Sequence, residues 1–348
     1  MRHQTFSLMV VLFSVTTATA YSQAPRELSD LRAKQSSFAP AEEQRIKDFV
    51  KYYAAQLKAG DQQKQLAARE ALVRNASGGP HWYKYARQCN DQMLSLIQGD
   101  DSFAALQAAI ALANLGDEAA FESLKAGLDP ATNSAAVRYW CVKGLANANL
   151  EILNRHDGIG ALNDITERAL GETSPHIVAE YFKVYKIEAD EFAKINREQF
   201  TAMVENFLKL LNKRIAPFSQ RIQPLHGCVS ELAAIPVITA MANTDMADEQ
   251  AKQRLMGALA KLMSWAGQHY QQQFDQISEH QQLQLERLIL RCYDGVKPLI
   301  LGGPDVEGAL KQLDREELLL RIYGWTGAEG VEGVLNDKFG LTAPPPLQ

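Results

Sequence analysis

The first residues to test for chemistry are the six histidines beyond residue 20: His81, His156, His176, His226, His269 and His280. Only one has a ligand-type neighbour, in His226-Gly227-Cys228. A spacing of two is awkward on a helix, and one pair does not complete a zinc site. His269 and His280 share a face only if the helix between them is unbroken. No HExxH run and no GxSxG elbow is present. Gly158-Ile159-Gly160 and Gly302-Gly303 lack the further glycines and the preceding strand of a phosphate loop. Carboxylates gather at Asp100-Asp101, Glu188 to Glu191 and Glu316-Glu317, near helix ends and exposed faces, where they act as caps and solvated charge. Nothing in their spacing points to a glycosidase pair. The reading is therefore no catalytic residue, no metal ligand and no cofactor.

Cys89, Cys141, Cys228 and Cys292 form no CxxC pair. Cys89, Cys141 and Cys292 fall on apolar helix stripes, which suits small buried hydrophobes. The alternative is a disulfide stapling neighbouring helices, and four cysteines allow three pairings.

Binding chemistry has a better candidate. The run His81-Trp82-Tyr83-Lys84-Tyr85 is aromatic on more than one helical face. One face belongs to a core; the surplus is a candidate protein-binding patch built from Trp82, Tyr83 and Tyr85.

The elements that must position these residues are helices. No stretch alternates with period two over a useful length, so the expectation is all-α. The clearest signal lies from Ser102 to Ala148. Ala104, Ala108, Ala111, Leu112 and Leu115 lie on one stripe, and a shift of 33 residues maps them onto Val137, Cys141, Gly144, Leu145 and Ala148. Ala111-Leu112-Ala113-Asn114 repeats as Gly144-Leu145-Ala146-Asn147. Such a self-match marks stacked helical units, and the small residues let helices approach closely. Gly116 fits a left-handed helix end and Asp117 the following N-cap. Asp129-Pro130 stops the next helix, and Asn133 or Ser134 caps the one after.

The order Leu115-Gly116-Asp117, Ala120, Leu124, Leu128, Val137-Arg138, Cys141-Val142, Gly144-Leu145-Ala146 resembles a HEAT repeat of the short, lyase-associated type. The family usually has alanines where Cys141 and Val142 stand, and the match covers about one and a half units. The resemblance implies an α-α superhelix, with Asp117 and Arg138 as candidates for a polar ladder between units. It also implies assembly or binding work on a concave face, so Arg138 joins the candidate binding residues, while Gly116, Asp117 and Cys141 are structural.

The chain has 348 residues, 46% hydrophobic and 22% charged, with a net charge of −5. No dense basic stripe appears, so nothing favours nucleic acid. Arg2, the apolar run Leu8–Val15 and Ala18-Thr19-Ala20 read as a signal peptide over 1–20. No later segment is long and apolar enough to span a bilayer. The expected address is periplasmic or secreted, without membrane insertion. Residues 21–40 read as a flexible leader and 41–295 as the solenoid, with Pro236 kinking or splitting a helix and a break near Gly267 to Phe274. A C-terminal helical cap follows over 296–340, with one helix near Glu307–Tyr323. The proline-rich tail 341–348 reads as disordered.

Three functions compete. The first is a non-enzymatic scaffold with a protein or peptide partner. The second is an enzyme or enzyme accessory with a lyase- or cofactor-attachment-like role. The third is a helical small-molecule carrier, which needs an apolar tunnel between the 200–240 and 246–294 segments. Expression in a host with a working export route is expected to yield a chain starting at Tyr21; an intact mass retaining residues 1–20 would refute the leader.

Overall fold

Seventeen α-helices and a few short 3₁₀ turns make up the computed structural model, which describes residues 24–219, 228–300, 302–312 and 314–347. The expected signal peptide and the pair His226-Gly227 lie outside the described residues. Among the described residues the one β feature is an isolated bridge between Ala328 and Val331, so the chain is all-α.

The first helices are α1 (Ser29–Arg32), α2 (Pro40–Leu57), α3 (Gln62–Arg74), α4 (Tyr83–Ile97), α5 (Ser102–Ala113) and α6 (Phe121–Ala126). Then come α7 (Ala135–Asn147), α8 (Asn149–Leu153), α9 (Gly158–Gly171), α10 (Pro175–Val184), α11 (Arg197–Ile215) and α12 (Val229–Asn243). The last are α13 (Glu249–Gln273), α14 (Glu279–Val296), α15 (Val306–Lys311), α16 (Arg315–Thr326) and α17 (Val334–Phe339).

Their contacts sort them into two rows. In one row α3 packs on α5, α5 on α7, α7 on α10, α10 on α12 and α12 on α14. In the other, α2 packs on α4, α4 on α6, α9 on α11, and α11 on α13. Successive helices cross between rows as antiparallel pairs, such as α2 with α3 and α13 with α14. Between α6 and α9 the second row is bridged by charge: Lys125 reaches Asp164 at 3.2 Å. A single hydrophobic cluster runs from Leu28 to Leu347.

Local chemistry sets the boundaries. Gly60 and Gly116 take positive φ of 69° and 56° at helix ends, and the carboxylates of Asp61 and Asp117 accept the first backbone N–H groups that follow. Ser134 caps α7 through the N–H of Val137. The approach of α5 and α7 is tight: a Cβ on Gly144 would stand 2.9 Å from Ala113 Cα and 2.8 Å from a methyl of Leu124.

Several expectations are corrected. The segment 24–39 is not a loose leader, because Leu28, Leu31 and Phe38 are buried and Arg45 pairs with Asp30 at 2.7 Å. Pro236 does not split α12, which runs unbroken; Thr239 Oγ1 instead donates to the carbonyl of Ile235. The break expected near Gly267 to Phe274 falls at its far end, where a 3₁₀ turn over Phe274–Gln276 separates α13 from α14; Gly267 itself does not break α13. It sits inside the helix where α16 crosses, and a Cβ there would meet Ile322 Cδ1 at 2.5 Å. The single helix expected near Glu307–Tyr323 is two helices, α15 and α16. The tail is packed, with Leu347 3% exposed.

Two glycine substitutions separate packing from propensity. Gly144→Ala is expected to cost about 1–3 kcal/mol, because two packed helices must part. Gly160→Ala, where a Cβ meets nothing within 4 Å, is expected to be neutral or stabilising by up to about 1 kcal/mol. Urea midpoints check both; equal effects would show that the α5–α7 approach is not tight.

Candidate functional site

Trp82 and Tyr85 do not form a surface. Both are buried and stack at 5.0 Å with an interplanar angle of 13°. Trp82 Nε1 donates to the Asn75 carbonyl and Tyr85 Oη to the Leu72 carbonyl, each at 2.8 Å. They add donors to carbonyls at the end of α3, where the Leu72 carbonyl also accepts the Asn75 N–H, a structural task. Burial pushes the Tyr85 hydroxyl well above its ordinary value. Tyr83 is the exposed aromatic of the run, at 43%, with the Arg87 guanidinium 5.9 Å from its ring centre. The pattern failed here because α4 is covered on two sides, by α2 and by α5.

Arg138 is likewise not free to bind. Its Nε and Nη2 donate to Glu172 at 2.9 and 3.2 Å, and Nη1 donates to the Asn133 carbonyl at 2.9 Å. Its partner lies at the end of α9, so Arg138 links α7 to α9, while Asp117 caps its own turn. Glu172 is pulled two ways. Burial raises its pKa, but Arg138 and the N–H groups of Ser174 and Thr173 outweigh that and hold it below the ordinary value of 4.5. The four cysteines are free and buried, and burial pushes the thiols of Cys89, Cys141 and Cys228 up to about 12. They are unreactive hydrophobes near neutral pH. Cys141 Sγ packs where a Cβ of Gly127 would otherwise stand.

A better binding surface lies on the α3, α5 and α7 row. An open groove of about 540 Å³ is lined by Arg69, Glu70, Val73, Arg74, Ile110, Asn114 and Trp140. Trp140 is half-buried on α7, and Lys143 Nζ lies 4.5 Å over its ring centre. Tyr139 meets Trp140 edge-on at 6.0 Å and donates its hydroxyl to Glu180 at 3.3 Å. Arg69 is fixed by Gln107 at 3.1 Å and pairs with Glu70 at 3.5 Å, and Arg74 faces Glu27 at 3.8 Å. Lys143 has no carboxylate partner among the described residues. The groove therefore offers an aromatic plate, aliphatic walls and charges of both signs. Its signal was present in the sequence: Tyr139-Trp140 stands off the stripe Val137, Cys141, Gly144 and Leu145, so at least one ring had to face outward.

A second cavity, about 640 Å³, lies between α12, α14 and the segment 188–195. Phe192, Ile235 and Pro236 supply apolar wall; Thr239, Arg291 and Asp294 supply polar atoms. It is an open cleft rather than the enclosed tunnel that a carrier needs. Among the described residues no three His, Cys, Asp or Glu side chains gather as metal ligands, and no helix is long and apolar enough to cross a membrane.

No protein-family model matches the chain, and no curated protein matches it. A solved structure of an engineered protein from the Northeast Structural Genomics Consortium is similar over 80% of this chain and 81% of its own, at 16% identity and a TM-score of 0.39. That likeness carries no argument.

The Arg138–Glu172 pair gives a test with a defined sign. A carboxylate whose pKa is lowered on folding stabilises above its unfolded value, and the contribution is lost as pH falls through the folded value. Glu172→Gln is expected to cost about 2 kcal/mol at pH 7. The gap to the unsubstituted chain should shrink below about pH 4.5. Urea melts at both pH values check it; a gap independent of pH would mean the ion pair is not the source.

Proposed function

We propose that this chain is a helical-repeat scaffold that binds an extended segment of a protein partner on the exposed face of the α3, α5 and α7 row. The groove carries the reading: a half-buried Trp140 with Lys143 over its ring, beside Val73 and Ile110, and rimmed by Arg69 and Arg74. Tryptophan and arginine are the residues that anchor interfaces most often. Arg69 and Arg74 already face Glu70 and Glu27, so Lys143 is the cation that favours a partner segment with a carboxylate next to an apolar side chain.

Two-row stacking of antiparallel helix pairs supports the HEAT-like, superhelical reading, which remains part of the proposal together with export to a periplasm or the cell exterior. An enzymatic or carrier role would draw on the α12–α14 cleft, where Arg291 and Asp294 line an open wall. The groove is preferred because its aromatic is exposed on one face yet fixed by its neighbours, as a preorganised anchor requires.

The test uses mature chain as bait on extract from its own source, followed by titration with the purified captured protein. Trp140→Ala is expected to weaken that complex at least about tenfold, and Lys143→Glu to weaken it further at low salt. Circular dichroism confirms that both variants stay folded. A complex unaffected by either change would remove this face as the site.

A further inference from the structure

The segment Leu341–Leu347 lies along one stripe of α13. At its start Gln253 Nε2 donates to the Gly340 carbonyl at 3.0 Å, and Leu341 Cδ2 lies 3.7 Å from where a Cβ of Gly257 would stand. Further on, Trp265 Nε1 donates to the Pro345 carbonyl at 3.0 Å. At the far end the Leu347 N–H donates to Gln268 Oε1 at 2.9 Å, and Gln268 is itself held by Ser264 at 3.1 Å. Residues 253, 257, 264, 265 and 268 follow helical spacing, so they share one face.

Two periodicities agree. From Gln253 to Gln268 the helix advances 268 − 253 = 15 residues, about 22 Å at a rise of about 1.5 Å. From Gly340 to Leu347 the chain advances 347 − 340 = 7 residues, about 22 Å at the polyproline rise of about 3.1 Å. Polyproline II also has about three residues per turn, which puts i and i+3 on one side. Pro344 and Leu347 are buried and Leu341 is half-buried, whereas Pro345 and Pro346 are exposed. The segment is therefore read as a left-handed extended helix, with Leu341, Pro344 and Leu347 facing inward. A tryptophan N–H on a proline carbonyl is the chemistry by which aromatic grooves hold such segments. Gly340, at φ 62°, is the bend that sends the chain onto α13.

We propose that this stripe of α13 is a docking groove for polyproline-type segments with the spacing apolar-x-x-Pro-x-x-apolar. The chain's own 341–347 segment fills it, and a partner carrying the same spacing takes it by displacing that segment. The site is separate from the Trp140 groove and does not depend on it.

The probe is a fluorescein-labelled peptide of residues 341–348, followed by anisotropy. The full chain is compared with full chain carrying Leu347→Asp, a change in the ligand segment that leaves Trp265 and Gln268 intact. The substituted chain is expected to bind at least tenfold tighter, because its own segment no longer competes. Adding Trp265→Phe should abolish that gain, and a peptide with serine at 341, 344 and 347 should not bind. Equal binding to both chains, or binding to neither, overturns the proposal. If Leu347→Asp does not fold, hydrogen exchange on the unsubstituted chain decides. Millimolar unlabelled peptide should speed exchange of the Leu347 amide at least fivefold, and an unchanged rate overturns the proposal equally.

Discussion

The structure depends on how closely α5 and α7 approach. Gly144 sits against Ala113 and Leu124 with no room for a further carbon, and alanines occupy most of the buried face of α5. Interhelical distance follows from side-chain size at the contact. Once this pair is set, α7 carries the next helix of its row, α10, and α10 carries α12. The groove over α3, α5 and α7 is a product of the same closeness, because Trp140 on α7 reaches the wall made by Ile110 and Val73 only if the helices lie near one another.

Polar side chains tie neighbouring helices together. Ser123 reaches Asn90, 33 residues away; Arg138 reaches Glu172 and Asn147 reaches the Ala113 carbonyl, each at a separation of 34. Asn149 reaches the Val184 carbonyl at 35. Other such links span 36 to 46 residues, from Gln65 to Asp101 up to Gln199 to the Leu153 carbonyl, so the spacing varies along the chain rather than holding to the 33-residue self-match. Several of the bonds end on carbonyls at helix ends, groups that a helix cannot satisfy by itself. Adjacent helices therefore complete one another's hydrogen bonding as well as burying one another's apolar faces.

What was legible in the sequence was local. Gly60-Asp61, Gly116-Asp117 and Ser134 mark boundaries through capping, which needs only neighbouring residues, and each does so in the structure. What was not legible depended on distant partners. Nothing near Trp82 and Tyr85 reveals that both rings are covered, and nothing near Gly267 reveals that α16 crosses there. The proline-rich tail reads as disordered because polyproline II has no internal hydrogen bonds to signal it; its order comes from Trp265, 80 residues earlier. The groove over α3, α5 and α7 was half legible. Tyr139-Trp140 was visible as an off-stripe pair, but its walls come from three helices.

Most helix contacts join elements close in chain order, and this has a thermal consequence. A globule with one central nucleus melts as a unit, whereas a linear array can come apart at one end while the other persists. The four tryptophans are spread along the chain, with Trp82 just before α4, Trp140 on α7, Trp265 on α13 and Trp325 on α16. Each reports a different stretch of the fold. A single transition temperature then describes this protein only where the long hydrophobic cluster from Leu28 to Leu347 couples all four, and cooperativity becomes a property of the interfaces between units.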